Sequence, residues 1–276
     1  MFTLNCRGQL WELTYPVVMG IINCTPDSFY AGSRAAGMDG LLETAEQMIG
    51  EGATILDIGG QSTRPGSVRM EAADELKRVV PGIKAIHNAF PDILISIDTY
   101  HSQVAEAAVQ AGASMVNDIS AGTADDEMMK RVAELGTPYI LMHTPGGPED
   151  LHVNPGYENI SLDVLDYLSD RTSLAQQHGI RDIIVDPGFG FGKTMPENFR
   201  LIRELEVFSV LQKPILIGVS RKSTIYKSLG VTPEESLNGT TVLHTIALTN
   251  GAHILRVHDV KPAMEAIRLF RLTRGS

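Results

Sequence analysis

Eight short apolar runs rich in β-branched residues recur along the chain, at Val17–Ile22, Thr54–Asp57, Ile93–Ile97, Ser114–Val116, Tyr139–Met142, Asp182–Val185, Pro214–Ile217 and His253–Val257. They are close to continuous rather than alternating, so each predicts a strand covered on both faces. Between them the apolar positions widen to helical spacing over Leu41–Gly50, Ala72–Asn88, Ser102–Ala111, Asp126–Leu135, Leu162–His178, Glu197–Leu205, Pro233–Thr249 and Lys261–Leu272. Strand then helix, eight times over, predicts an α/β chain folded as a (β/α)8 TIM barrel, one domain over 1–276. An open doubly wound sheet is the alternative, but no GxGxxG opens the first helix. The first fifteen residues precede the barrel, and "CRGQ" in them is expected to turn a short N-terminal hairpin over its bottom.

Polar residues stand at the end of every run: Asn23, Asp57, Asp98, Asn117, His143, Asp186, Arg221 with Lys222, and Arg256 with His258. In a barrel those ends meet on one rim, where this architecture builds its chemistry. Strand termination and helix capping account for one or two such residues, hardly for all eight ends.

Composition narrows the field. Apolar residues make up 43% and charged residues 20%, enough for a large core. A net charge of −10 without any Lys/Arg run argues against nucleic acid as a partner and for a small molecule. No stretch approaches the ~20 apolar residues of a membrane helix and no leader is visible, so no membrane partner and a cytoplasmic address are expected. Cys6 and Cys24 make no disulfide framework and are read as reduced.

In "INCTPDSF" the amide oxygen of Asn23 suits a hard cation such as Mg²⁺, and the same stretch suits an Asx turn. The connection runs on to about Asp39, a length typical of binding loops. "DIGGQSTRPGS" joins glycines, the hydroxyls of Ser62 and Thr63, and Arg64, which points to an anion or to a Gly-Pro surface turn. Asp98 in "ISIDTY" and Asp186 in "IVDPGFGFGK" end apolar strands. Two carboxylates on one rim can bond a nitrogen-rich ring or stabilise positive charge on it, or else cap helices and pair with rim cations. Asn117 in "VNDIS" adds an amide that donates and accepts. "GVSRKS" and "LRVHDV" bring Lys222, Ser223, Arg256 and His258 to strand ends seven and eight, the usual phosphate corner, with Arg221 readable as a charge on a solvated helix start. His143 reads as a loop buttress and Cys24 as a small buried filler. The other histidines show no metal-ligand spacing.

In order, "GIINCTPDSF", "DIGGQSTRPGS", "SIDTY", "VNDIS", "LMH", "DPGFGFGKT", "IGVSRKS" and "LRVHDV" resemble the dihydropteroate synthases of the pterin-binding family, over nearly the whole chain. The resemblance implies an enzyme of folate biosynthesis. Its substrates would be 6-hydroxymethyl-7,8-dihydropterin diphosphate and p-aminobenzoate, joined by a dissociative displacement to 7,8-dihydropteroate and diphosphate. It implies a pterin pocket at Asp98, Asn117, Asp186 and Lys222, and diphosphate with Mg²⁺ at Asn23, Arg256 and His258. Asp98, Lys222, Arg256 and His258 are then the catalytic candidates. Phe29, Thr63, Arg64, Pro65 and Ser223 match the p-aminobenzoate site, with Ser62 beside them as a further substrate contact. A homodimer formed through helices far from the rim is also implied. Two other readings stay open: a pterin-dependent methyltransferase of the same fold, which has no use for a diphosphate, and a non-catalytic pterin-binding paralogue. The chain departs from the family pattern at Gln61, where Glu is usual, at Cys24, where Val is common, and in "MHTPGGPEDL".

Overall fold

A computed structural model of the chain describes residues 1–24, 34–61, 70–147 and 150–275. Strands β1 (Phe2–Cys6) and β2 (Gln9–Leu13) form an antiparallel hairpin in which Cys6 faces Gln9. The expected turn is there: Arg7 and Gly8 lie at φ 56° and 83°, the doubly left-handed backbone of a type I′ hairpin. Arg7 carries the strain of that conformation, and its guanidinium donates to Gly112 O at 3.2 Å. Asn5 N donates to Asp182 Oδ2 at 3.1 Å, tying the hairpin to the barrel.

Eight parallel strands follow as β3 (Val17–Asn23), β4 (Ile55–Gly59), β5 (Leu94–Asp98), β6 (Met115–Asp118), β7 (Tyr139–Met142), β8 (Ile183–Asp186), β9 (Leu216–Ile217) and β10 (Ile254–Val257). They pair in sequence order from β3 to β8, β10 lies between β3 and β9, and a parallel bridge from Val185 to Ile215 closes the ring. The main helices are α1 (Arg34–Gly50), α2 (Ala72–Ala89), α3 (Ser102–Ala111), α4 (Met128–Leu135), α5 (Ile160–Gln177), α6 (Met195–Arg203), α7 (Ser223–Leu229), α8 (Leu237–Thr249) and α9 (Val260–Arg274). Helix α6 starts two residues ahead of the expected Glu197 because Thr194 and Glu197 form a capping box. The expected helix Pro233–Thr249 is a 3₁₀ turn, Glu234–Ser236, leading into α8. Helix α7 was not expected: seven residues are too few to display a helical period.

Side chains alternate along each strand, and this alternation sorts the core into two parts. One parity turns outward: Val18, Leu56, Ile58, Ile95, Ile97, Val116 and Leu255 join the helices in the main core. The other turns inward. Met19, Ile55, Met115, Ile140, Ile184, Leu216 and Ile254 fill the bottom of the barrel with Leu4, Cys6 and Leu13 of the hairpin. Two residues further along the same inward parity, apolar side chains give way to Asp57, Asn117, Asp186 and Arg256. The bottom of the cylinder is therefore a dry plug, and the top is polar. No helix among the described residues is long and apolar enough to cross a membrane.

Leu13 is 2% exposed in that plug. Leu13→Ala should lower the stability by about 2–4 kcal/mol, read as a shift of the urea midpoint with an unchanged slope.

Candidate functional site

The inward polar residues converge on one guanidinium. Arg256, on β10, donates from Nε to Asp57 Oδ2 at 2.6 Å and from Nη2 to Asp98 Oδ2 at 2.6 Å. Asn117 Nδ2 donates to the same Asp57 oxygen at 3.1 Å. Asp57 is fully buried, and its Oδ1 has no hydrogen-bond partner among the described residues. Two carboxyl groups thus share one cation. Burial raises the Asp98 carboxyl, with Arg256 pulling the other way and Asp57 adding to the rise. Unless a proton sits on Asp98, the cluster keeps an unmatched negative charge, which favours positive charge arising nearby.

A second cluster forms between the ends of β8 and β9. Asp186 Oδ1 accepts from Gly188 N at 2.8 Å. Lys222, at the N-cap of α7, donates from Nζ to Phe189 O and lies 4.2 Å from the centroid of the Phe191 ring. Burial lowers Lys222 to about 7 against the opposing pull of Asp186, and it raises Asp186 against the pull of Lys222. Lys193, also brought down to about 7 by burial, reaches Gly188 O at 2.8 Å, Phe191 O at 3.0 Å and His143 Nδ1 at 2.9 Å. His143 therefore buttresses the loop, as its setting in the sequence suggested. Burial first, then Lys193, lowers its pKa to about 2, so it accepts as a neutral imidazole.

On the rim above, Asn23 and Ser223 are exposed, and so is His258, whose Nδ1 lies 3.1 Å from Ser220 Oγ. Arg221 is not part of this group. It pairs bidentately with Asp259 at 2.8 and 2.7 Å, tying the loop after β9 to the end of β10. Phe29, Ser62, Thr63, Arg64 and Pro65 lie outside the described residues. Among the described residues no cluster of three His, Cys, Asp or Glu side chains could hold a metal by itself. Asn23 supplies one amide oxygen, which fits Mg²⁺, an ion that keeps waters and is often completed by substrate phosphates.

The structure brings Asp98, Asn117, Asp186, Lys222 and Arg256 together at one end of the barrel. It adds Lys193 and Glu75, which the sequence does not single out, and gives a partner to Asp57, which the sequence shows only as a polar strand end. Asp57 carried a legible signal, sharing the inward parity of Ile55. Lys193 sits in a glycine-rich loop that has no periodicity to read. Glu75, raised to about 7 by burial, accepts from Thr99 Oγ1 at 2.9 Å directly behind Asp98, and only the packing of α2 places it there. Gln61 accepts from Tyr100 Oη at 2.8 Å.

A family model described as pterin binding enzyme matches residues 19–258. The dihydropteroate synthase of Escherichia coli K12 is 39% identical over 272 residues, 98% of this chain and 96% of that protein. In three dimensions the chain is similar to the Xanthomonas albilineans dihydropteroate synthase with 4-aminobenzoic acid, at TM-score 0.92 and 36% identity over 99% of this chain and 98% of that one. It is likewise similar to the Yersinia pestis dihydropteroate synthase in complex with a sulfonamide drug, at TM-score 0.92 and 36% identity over the whole of both chains.

Breaking the buried pair should be costly, whereas a surface pair should matter little. Asp57→Asn, which leaves Arg256 short of one charged partner, should destabilise by about 3 kcal/mol. Lys77→Met, which removes an exposed ion pair to Asp74, should change stability by less than about 1 kcal/mol. Chemical denaturation of both variants tests the contrast.

Proposed function

Because the chain belongs to the pterin-binding enzyme family and matches dihydropteroate synthases along nearly its whole length, we propose that it condenses 6-hydroxymethyl-7,8-dihydropterin diphosphate with p-aminobenzoate. The products are 7,8-dihydropteroate and diphosphate, a step of folate biosynthesis. One observation carries this reading to the residues: Asp98, Asn117, Asp186 and Arg256 stand on inward faces at the C-terminal ends of the strands, and Lys222, at the start of α7, lies close enough to feel the charges of Asp186 and Arg256.

The pterin ring has an aminopyrimidinone edge, whose N–H groups call for anionic acceptors and whose carbonyl calls for a donor. Asp186 and Lys222 offer that acceptor and donor side by side, and Asn117 offers both in one amide. Bond breaking comes first in this scheme. Departure of diphosphate leaves a methylene cation delocalised into an electron-rich ring, and Asp98 stands where a negative charge stabilises it. The aniline nitrogen then attacks without a strong general base, and it loses its proton to solvent or to diphosphate. Arg256 keeps Asp98 in place, and its partly exposed charge adds to the attraction for the leaving anion.

His258 and Asn23 are exposed at the ends of the neighbouring strands β10 and β3 and are proposed to face the diphosphate. When bound, Mg²⁺ neutralises charge on diphosphate oxygens, and Asn23 is the residue that would hold it. Phe29, Ser62, Thr63, Arg64, Pro65 and Ser223 are proposed to form the p-aminobenzoate side and to exclude water, which otherwise traps the cation as the alcohol. The chain is proposed to work in the cytoplasm as a homodimer, a role to which the exposed Val242 and Ile246 of α8 and Leu269 and Leu272 of α9 lend apolar surface.

Mixing the purified protein with both substrates and Mg²⁺ should yield dihydropteroate on chromatography, and absence of product overturns the reading. Lys222→Ala and Asp98→Asn should each reduce kcat/KM about 10²-fold or more. Near-normal rates in both refute those two assignments.

The pH profile supplies an independent check. The ammonium of Lys222 is a stronger donor than its neutral amine, and burial lowers its pKa to about 7, so kcat/KM should fall as pH rises through that value. Asp186 acts to raise the Lys222 pKa, so Asp186→Asn should move this alkaline limb to lower pH. A limb that stays put, or moves up, refutes the pairing.

A further inference from the structure

Resting on the dihydropteroate-forming reading above, we propose that Lys193 is a positioning residue whose ammonium sets the 187–193 loop in the one shape that presents Phe189 O and the Phe191 ring to Lys222, and thereby sets where Lys222 meets the pterin. An ammonium has three N–H donors. Lys193 Nζ has three close acceptors, Gly188 O at 2.8 Å, Phe191 O at 3.0 Å and His143 Nδ1 at 2.9 Å, with His143 O farther off at 3.5 Å. Two of them belong to the loop and the third follows β7, so the cation ties the loop to a neighbouring strand end.

Side-chain packing anchors Phe189, fully buried in the main core, and Phe191, clustered with Ile119, Met142 and Leu151, whereas the glycines around them meet their neighbours through bare backbone. Gly188, Gly190 and Gly192 lie at φ 70°, 84° and 57°, in the left-handed region that favours glycine. A Cβ on Gly188 would overlap His143 O, one on Gly192 would overlap Pro145, and one on Gly190 would come within 2.7 Å of Lys222 Cδ. The glycine segments therefore rest on polar ties. Two more come from Asp186, whose Oδ1 accepts from Gly188 N at 2.8 Å, and from Asn198, which accepts from Gly190 N at 2.6 Å and donates to Lys193 O at 3.1 Å. Without the ammonium, Phe191 O and the imidazole lone pair of His143 lose the donor that Lys193 gives them, and Gly188 O keeps only the backbone N–H of Phe191, at 3.2 Å. Repulsion among these acceptors moves the loop, and the carbonyl and ring that hold Lys222 move with it.

The test compares wild type, Lys193→Met and Lys193→Gln, the last keeping two N–H donors. The readouts are KM for each substrate and the calorimetric affinity for 6-hydroxymethyl-7,8-dihydropterin. Lys193→Met should raise KM for the pterin diphosphate about tenfold or more and weaken pterin binding in parallel, while KM for p-aminobenzoate changes by less than about threefold. Lys193→Gln should fall between. A residue needed only for folding would lower the amount of active protein and leave the KM of the survivors unchanged, so an unchanged pterin KM and affinity overturns the inference. If Lys193→Met does not fold, Lys193→Gln with wild-type KM and affinity overturns it equally. Wild type that binds the pterin without making dihydropteroate sinks the functional reading while the binding comparison still judges Lys193. Wild type that does not bind the pterin overturns both.

Discussion

A guanidinium drawn down between two carboxyl groups inside the cylinder is the contact from which the polar end of this molecule is built. Arg256 comes from the last strand, Asp57 and Asp98 from the second and third strands of the ring, and Asn117 from the fourth. Taking such charges out of water is expensive unless each finds its partner. Here the partners lie up to 199 residues apart in sequence, so none is correctly matched until the ring closes. Closure and the charge cluster therefore require one another: the bridge from Val185 to Ile215 completes the ring that sets strand ends face to face.

The two ends of the barrel divide the tasks. At the bottom, seven inward apolar side chains and the N-terminal hairpin exclude water and supply stability. At the top the same inward positions carry charge and amide groups, whose electrostatic interactions are strong because the walls around them are apolar. Because the dry plug supplies much of the stability, side chains at the other end are free to carry chemistry, which is why barrels host it at one end. The second cluster, around Asp186, Lys222 and Lys193, works differently. It is held by a loop whose glycines bring backbone against backbone, fixed by hydrogen bonds as well as by the buried Phe189 and Phe191.

Much of this was legible beforehand because two simple periods govern it. Near-continuous β-branched runs and 3.6-residue spacing located eight strands and most of their helices to within a few residues, Ser102–Ala111 and Tyr139–Met142 among them at their observed bounds, whereas α1 begins at Arg34, seven residues ahead of the expected Leu41 and inside the loop expected to run to about Asp39. Polar residues at strand ends named Asp98, Asn117, Asp186, Lys222 and Arg256, and the "CRGQ" turn followed from its Gly, with Arg7 forced to positive φ beside it. Helix α7 escaped because a seven-residue helix shows no period, and Thr194 moved the start of α6 because a capping box is worth more than an ambiguous apolar spacing.

What the chain's order of residues determined by itself was the alternation of strand and helix and the chemistry offered at each strand end, since both are local: a residue's parity along a strand and its identity are written in place. Partnership was decided only by the tertiary structure. That Arg256 faces Asp57 and Asp98 while Arg221, next to Lys222, turns to Asp259, that Glu75 stands behind Asp98, and that Lys193 reaches across to His143 depend on distances between segments far apart in sequence. Those distances are set by ring closure and by how each helix packs over the strands, and no local period encodes them.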